Sequence, residues 1–247
     1  MIINNLLKIF RSKFLILKKI VFIFKIKLYK TKNTNVLKLI DKGYIHLEKC
    51  FPTDLVKQIA LKHYSKINKE SVVDHVLLDK SDKEKILLNL KKLNILKISK
   101  EYLGEKLICY GWYKYLGAKK SFEESWQPHH DTKLNRLKIY VWISKKDLNT
   151  HPLYYSKGTH KKIKYWSNYE DTRYPVNNLK FDEIYGDTGD VIIFDTHGIH
   201  SNFKKSQKER ECFEITLESY GIFKRINLRS KKGLVELNRL NAEVLTY

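Results

Sequence analysis

The chain of 247 residues carries 48 Lys and Arg against 27 Asp and Glu, a formal net charge of +21, with 43% hydrophobic and 13% aromatic residues. This composition excludes a disordered chain, and 10 Gly with 4 Pro exclude long flexible linkers, so the length suits one domain with appendages. Cys50, Cys109 and Cys212 lie far apart with no CxxC pair, which excludes a disulfide framework and a thiolate zinc site and predicts a reducing, cytoplasmic setting.

Residues 1–30 stand apart, with Lys8, Arg11, Lys13, Lys18, Lys19, Lys25, Lys27 and Lys30 among many apolar residues and no acidic one. Their apolar runs are far shorter than the roughly 20 residues a bilayer span needs, and no small-residue cleavage site follows. Residues 1–33 read either as a basic amphipathic helix in the headgroup region at the inner face of a membrane, or as a helix packed on the domain. Removing that segment's eight charges leaves +13 of the +21 on the rest, a surplus that favours anionic partners. The bias toward Lys, Ile and Asn gives part of that charge a compositional origin.

From Asn35 the pattern predicts a short helix ended by Gly43, a strand at Tyr44–Leu47, and a helix over about 54–66 started by Pro52-Thr53-Asp54. One further helical stretch covers about 82–102 and ends near Gly104. Strands follow at 107–113, 137–143, 152–155, 190–194 and 213–220. Helices first and short strands after predict an α+β chain, with a jelly-roll or sandwich in residues 34–222 and helices outside it. Residues 223–247, with Lys224, Arg225, Arg229, Lys231 and Lys232, read as a basic C-terminal tail.

The chemistry begins at Gln127-Pro128-His129-His130-Asp131. Two residues apart on an extended strand end, His129 and Asp131 point to one side and can occupy adjacent positions on a metal. The run Gly189-Asp190 to His200 is a strand entering a turn that delivers a second imidazole, and Arg210 follows ten residues later. Two imidazoles and a carboxylate on one face of an octahedral ion form the facial triad of iron(II) oxygenases, with three positions open. Two of these suit a chelating 2-oxo acid and one suits O₂, while the planar fork of an arginine suits the far carboxylate. His197 is the rival of His200, and the G-I-H setting and the spacing to Arg210 favour His200. His130 should point away from the metal, and His160 is expected to shape a turn.

On 137–143, Leu137, Ile139, Val141 and Ile143 share one face and Lys138, Tyr140 and Trp142 the other. The aliphatic face belongs against helices or an opposing sheet. The polar face either lines the pocket, where Lys138 or Tyr140 would touch 2-oxoglutarate, or in the case of Lys138 is a solvated basic face.

The order H-x-D, then Gly158-Thr159-His160, then G-D-x-x-x-x-D-x-x-G-I-H, then Arg, resembles the phytanoyl-CoA dioxygenase family over roughly residues 36–220, as does the opening Gly43-Tyr44-Ile45. The resemblance implies a double-stranded β-helix (jelly-roll) core, His129, Asp131 and His200 as iron(II) ligands, and Arg210 as the 2-oxoglutarate anchor. It also implies a dioxygenase that hydroxylates a C–H bond of a small-molecule, lipid-linked or sugar-linked substrate. Asn202 replaces the family's small hydroxyl residue two after the last ligand and can still donate to a carboxylate. His151 replaces the glycine before Pro152. Two rivals are a jelly-roll binding module without turnover and a basic nucleic-acid-binding protein; complete ligands argue against the first, and the lack of an RRM, KH or zinc-finger pattern argues against the second.

Overall fold

The computed structural model describes residues 31–71, 73–104, 106–118, 127–131, 135–162, 172–202, 206–219 and 242–246. The basic segment 1–30 and the basic cluster 224–232 lie outside the described residues.

Among the described residues, four α-helices lie before Gly104, interleaved with two strands. Helix α1 (Thr34–Lys42) starts where the Asn33 side chain accepts from the backbone N–H groups of Asn35 and Val36, and it stops at Gly43, whose φ of 89° only glycine adopts cheaply. Helix α2 (Thr53–Tyr64) follows Pro52, and α3 (Lys80–Lys92) is capped by the Asp79 carboxylate on Asp82 N–H at 2.9 Å. The single helix expected over 82–102 is two: α4 (Ile95–Leu103) begins after Asn94, which takes φ 58° and turns the chain. Asparagine tolerates this left-handed conformation, so the break needs neither glycine nor proline. No helix among the described residues is long and apolar enough to cross a membrane.

The strands are β1 (Tyr44–Leu47), β2 (Val73–Leu77), β3 (Lys106–Leu116), β4 (Arg136–Trp142), β5 (Leu153–Tyr155), β6 (Asp182–Ile184), β7 (Val191–Asp195), β8 (His200–Ser201), β9 (Arg210–Ser219) and β10 (Glu243–Thr246). They form a seven-stranded sheet in the order β1-β7-β4-β9-β3-β10, with β2 also on β3, and a three-stranded sheet β6-β5-β8. All the named pairings are antiparallel. Strand β10 pairs with β3 from Glu243 opposite Cys109 to Thr246 opposite Lys106, so this part of 223–247 is sheet rather than tail.

The two faces of the large sheet have different cores. Leu137, Ile139 and Val141 of β4, with Val191, Ile193, Phe213, Ile215 and Leu217, are buried in one cluster with Val36, Leu39, Val56, Ile59, Ile86 and Leu90 of the helices. Tyr140 and Trp142, with Ile192, Phe194 and Cys212, form a second cluster with Leu153, Tyr155 and Ile184 of the small sheet. Helices, large sheet and small sheet therefore stack as three layers, and the alternation along β4 assigns its aliphatic face to the helices. Toward one end the inter-sheet layer turns polar.

Two glycines let the small sheet close on the large one. A Cβ on Gly198 would lie 1.8 Å from the Tyr155 hydroxyl, and one on Gly43 would lie 2.4 Å from it. Tyr155 is fully buried and donates to the Asp195 carbonyl at 2.9 Å, which ties β5 to the end of β7.

Candidate metal centre

Where β7 ends, the turn 196–199 brings the chain into β8, and the backbone of His200 pairs with that of His129 in both directions, at 2.9 and 3.0 Å. This isolated antiparallel bridge sets the two imidazoles side by side, with ring centroids 4.6 Å apart. Asp131 is held two residues on by its N–H to the Thr196 carbonyl at 2.8 Å. The turn is fixed from behind by Asp195, whose carboxylate accepts from the N–H of His197 and from the hydroxyl of Tyr102 on α4, both at 2.8 Å.

The donor atoms converge. Asp131 Oδ1 lies 4.0 Å from His129 Nε2 and 3.9 Å from His200 Nε2, and one atom from each of the three residues lies within 4.8 Å of the others. His129 Nδ1 donates to the Gln127 carbonyl and His200 Nδ1 to the Gly198 carbonyl, each at 2.9 Å. A carbonyl oxygen can only accept, so Nδ1 carries the proton in both rings and each Nε2 presents a lone pair. Burial pushes the His200 imidazolium down to about 3 and lowers that of His129, which keeps both rings neutral at ordinary pH. Burial alone would raise Asp131, but the charges of Lys138 and Arg136 outweigh it and hold the carboxyl well below its usual range. Two neutral nitrogens and an ionised oxygen are the donor set of a divalent first-row metal with open positions.

A second convergence, His63 with Asp79 and Asp82, differs in one respect. Lys62 already donates to both carboxylates, with Asp82 at 2.9 Å, and Lys85 approaches Asp82 at 3.3 Å. Ammonium groups meet that charge.

Arg210 begins β9 and is fully buried. Its Nη1 donates to the His151 carbonyl at 3.1 Å, while Nε and Nη2 have no partner among the described residues. The guanidinium lies over the rings of Trp142 and Tyr140, 5.0 and 5.6 Å from their centroids. Tyr140 packs on Phe194 at 5.1 Å and Phe194 on His200 at 5.3 Å, so an aromatic path joins Arg210 to the imidazoles. A buried cation with unmet donors is costly unless an anion completes it. His151 is itself built into this corner, with Nε2 2.9 Å from the Gly117 carbonyl and 2.5 Å from Ser206 Oγ.

Lys138 stands between Asp131 Oδ2 at 3.6 Å and Glu214 Oε1 at 3.4 Å, on the inner face of the sheet. Tyr140 accepts from Lys114 Nζ at 3.1 Å. Asn202 follows β8, half-buried, with its side-chain oxygen unpartnered among the described residues. His197 is not part of the donor group; its ring meets that of His130 edge-on at 5.2 Å. His160 Nε2 lies 3.0 Å from the Ile40 carbonyl, in a 3₁₀ turn (Thr159–Lys161). Arg136, Glu214, Glu218 and Lys114 belong to no local sequence motif. Their signal is phase: Arg136 and Lys138 alternate with buried aliphatics on β4, as Arg210, Glu214 and Glu218 do on β9, so charge recurs on a face that cannot be solvent-facing throughout.

No family model matches the sequence, and no curated protein matches it either. Solved structures do match the fold. The epimerase SnoN, crystallised with Fe³⁺, alpha-ketoglutarate and nogalamycin RO, superposes with a TM-score of 0.56 at 14% identity over 75% of this chain and 82% of its own. EctD from S. alaskensis gives 0.60 at 14% identity over 76% and 77%. HygX from Streptomyces hygroscopicus, with nickel and 2-oxoglutarate bound, gives 0.57 at 11% identity over 77% and 88%. The chain has the fold of these proteins.

Proposed function

We propose that this protein is an iron(II)- and 2-oxoglutarate-dependent dioxygenase of double-stranded β-helix architecture, akin to the phytanoyl-CoA dioxygenase family. In this reading His129, Asp131 and His200 hold the metal and Arg210 holds the far carboxylate of 2-oxoglutarate. The observation that carries it is the pairing of two features in one layer. Three donors converge with free lone pairs, and a buried guanidinium joined to them by packed rings has two donor atoms unpartnered among the described residues. The fold neighbours support it, since they include proteins crystallised with iron, nickel and 2-oxoglutarate.

Each residue's part follows from its surroundings. Iron(II) with 2-oxoglutarate supplies, when bound, an oxidant made from O₂ that can attack a C–H bond. The two imidazoles enter as neutral donors because burial disfavours their charged forms. Arg210 offers its unmet N–H groups to a carboxylate, a charge-assisted and directional contact. Tyr140, Trp142 and Phe194 wall that path with aromatic carbon and keep water from it. The substrate in this reading is a small molecule, free or linked to a lipid or sugar, and its reacting C–H bond is placed beside the three donors.

Calorimetric titration with Mn(II), a redox-inert stand-in for iron(II) in air, tests this. The expected result is one metal per chain, followed by one 2-oxoglutarate that binds only once metal is present. Equal 2-oxoglutarate binding with and without metal would sink the reading.

A further inference from the structure

The metal-ligating carboxylate has two oxygens, and they face different surroundings. Asp131 Oδ1 faces the two Nε2 atoms, while Oδ2 accepts from Arg136 Nη1 at 3.1 Å. Arg136 is itself gripped from the opposite side. Its Nε donates to Glu218 Oε1 at 2.8 Å, its Nη2 donates to the same oxygen, and the Tyr110 hydroxyl donates there at 2.9 Å. Arg136 and Glu218 are direct cross-strand partners in the β4–β9 register, and Glu218 is only 2% exposed. The guanidinium is therefore a rigid plane between two carboxylates, with its fork on Glu218 and its remaining edge on Asp131.

We propose that Arg136, anchored by Glu218, is the positioning residue of the metal centre: it occupies Oδ2 of Asp131 so that the carboxylate presents Oδ1 alone. This rests on the metal-binding reading above. Its consequence is coordinative. A carboxylate that turned both oxygens to the ion would consume one of the three positions that a chelating cosubstrate and O₂ require. Lys138 adds a second cation at 3.6 Å from the same oxygen and also pairs with Glu214 at 3.4 Å.

Charge alone predicts the opposite sign from positioning, which makes the proposal testable. Removing a cation beside a divalent ion relieves repulsion and tightens metal binding. Removing the group that orients a ligating carboxylate weakens it, typically about 10–100-fold. Mn(II) affinity without cosubstrate should therefore fall about 10–100-fold in Arg136→Met and recover in part in Arg136→Lys. Ile139→Ala, on the helix-facing side of the same strand, serves as a stability control; it should lower the melting temperature and leave Mn(II) affinity within about twofold.

Counting exchangeable waters on Mn(II) in the unaltered protein needs no variant. Three waters fit a one-oxygen Asp131 and two contradict it. Unchanged or tighter Mn(II) binding in a folded Arg136→Met overturns the proposal while leaving the metal site standing. No Mn(II) binding by the unaltered chain removes the metal reading itself.

Discussion

Arg210 concentrates the conflict between stability and binding into one side chain. It is fully buried with two donor atoms unmet among the described residues, which leaves its charge out of water with incomplete hydrogen bonding there. Arg210→Met should leave the cosubstrate-free protein as stable as before, or more so, while weakening 2-oxoglutarate by about 1.5–3 kcal/mol for each lost charged hydrogen bond. Thermal melts with a cosubstrate titration check both halves, and a marked fall in melting temperature would show that Arg210 serves the fold instead. The sequence made this residue visible, as it did His129, Asp131 and His200, because H-x-D, G-I-H and a following arginine are local patterns. Arg136 and Glu218 were not visible in the same way, since they lie 82 residues apart and meet only through the β4–β9 register. Strand alternation alone leaves Lys138 either pocket-lining or solvated, and the ion pairs with Asp131 and Glu214 place it on the inner face.

Among the elements, the turn from β7 to β8 controls the site most directly. Tyr102 on α4 reaches across to Asp195, and Asp195 in turn holds the His197 N–H. Tyr102→Phe removes one buried hydrogen bond and leaves a carboxylate oxygen short of a donor, so unfolding free energy should fall by about 1–3 kcal/mol in a denaturant titration. Gly198→Ala would set a methyl carbon 1.8 Å from the Tyr155 hydroxyl. Overpacking of this kind costs about 1–3 kcal/mol, and it strikes the residue whose carbonyl fixes the His200 tautomer. A measured drop in both stability and Mn(II) affinity is expected; a variant with wild-type metal affinity would contradict the role given to this turn. Helix α1, β1, β4, β7 and β9 were legible because period and punctuation agree there. Strands β2, β6, β8 and β10 were not, since VDHVL, DEI, HS and EVLT show no apolar–polar alternation and owe their form to the strands they pair with. The α3–α4 break was hidden because apolar periodicity continues through Asn94.

Across the whole molecule, each layer has a separable task. The helices and the aliphatic face of the large sheet supply the main apolar burial, and the space between the sheets holds the charged and aromatic groups. This separation explains why a charge-rich interior is tolerable, since stability is drawn chiefly from the other face. The α+β order and the split faces of β4 followed from hydropathy patterning, whereas the addition of β10 at the edge of the sheet did not. The most direct test is anaerobic addition of iron(II) and 2-oxoglutarate to the full chain, followed by visible absorption. A metal-to-ligand charge-transfer band should appear only with both present and vanish in His200→Ala and in Asp131→Ala. No band in the unaltered protein, or a band that survives in both variants, would contradict the account.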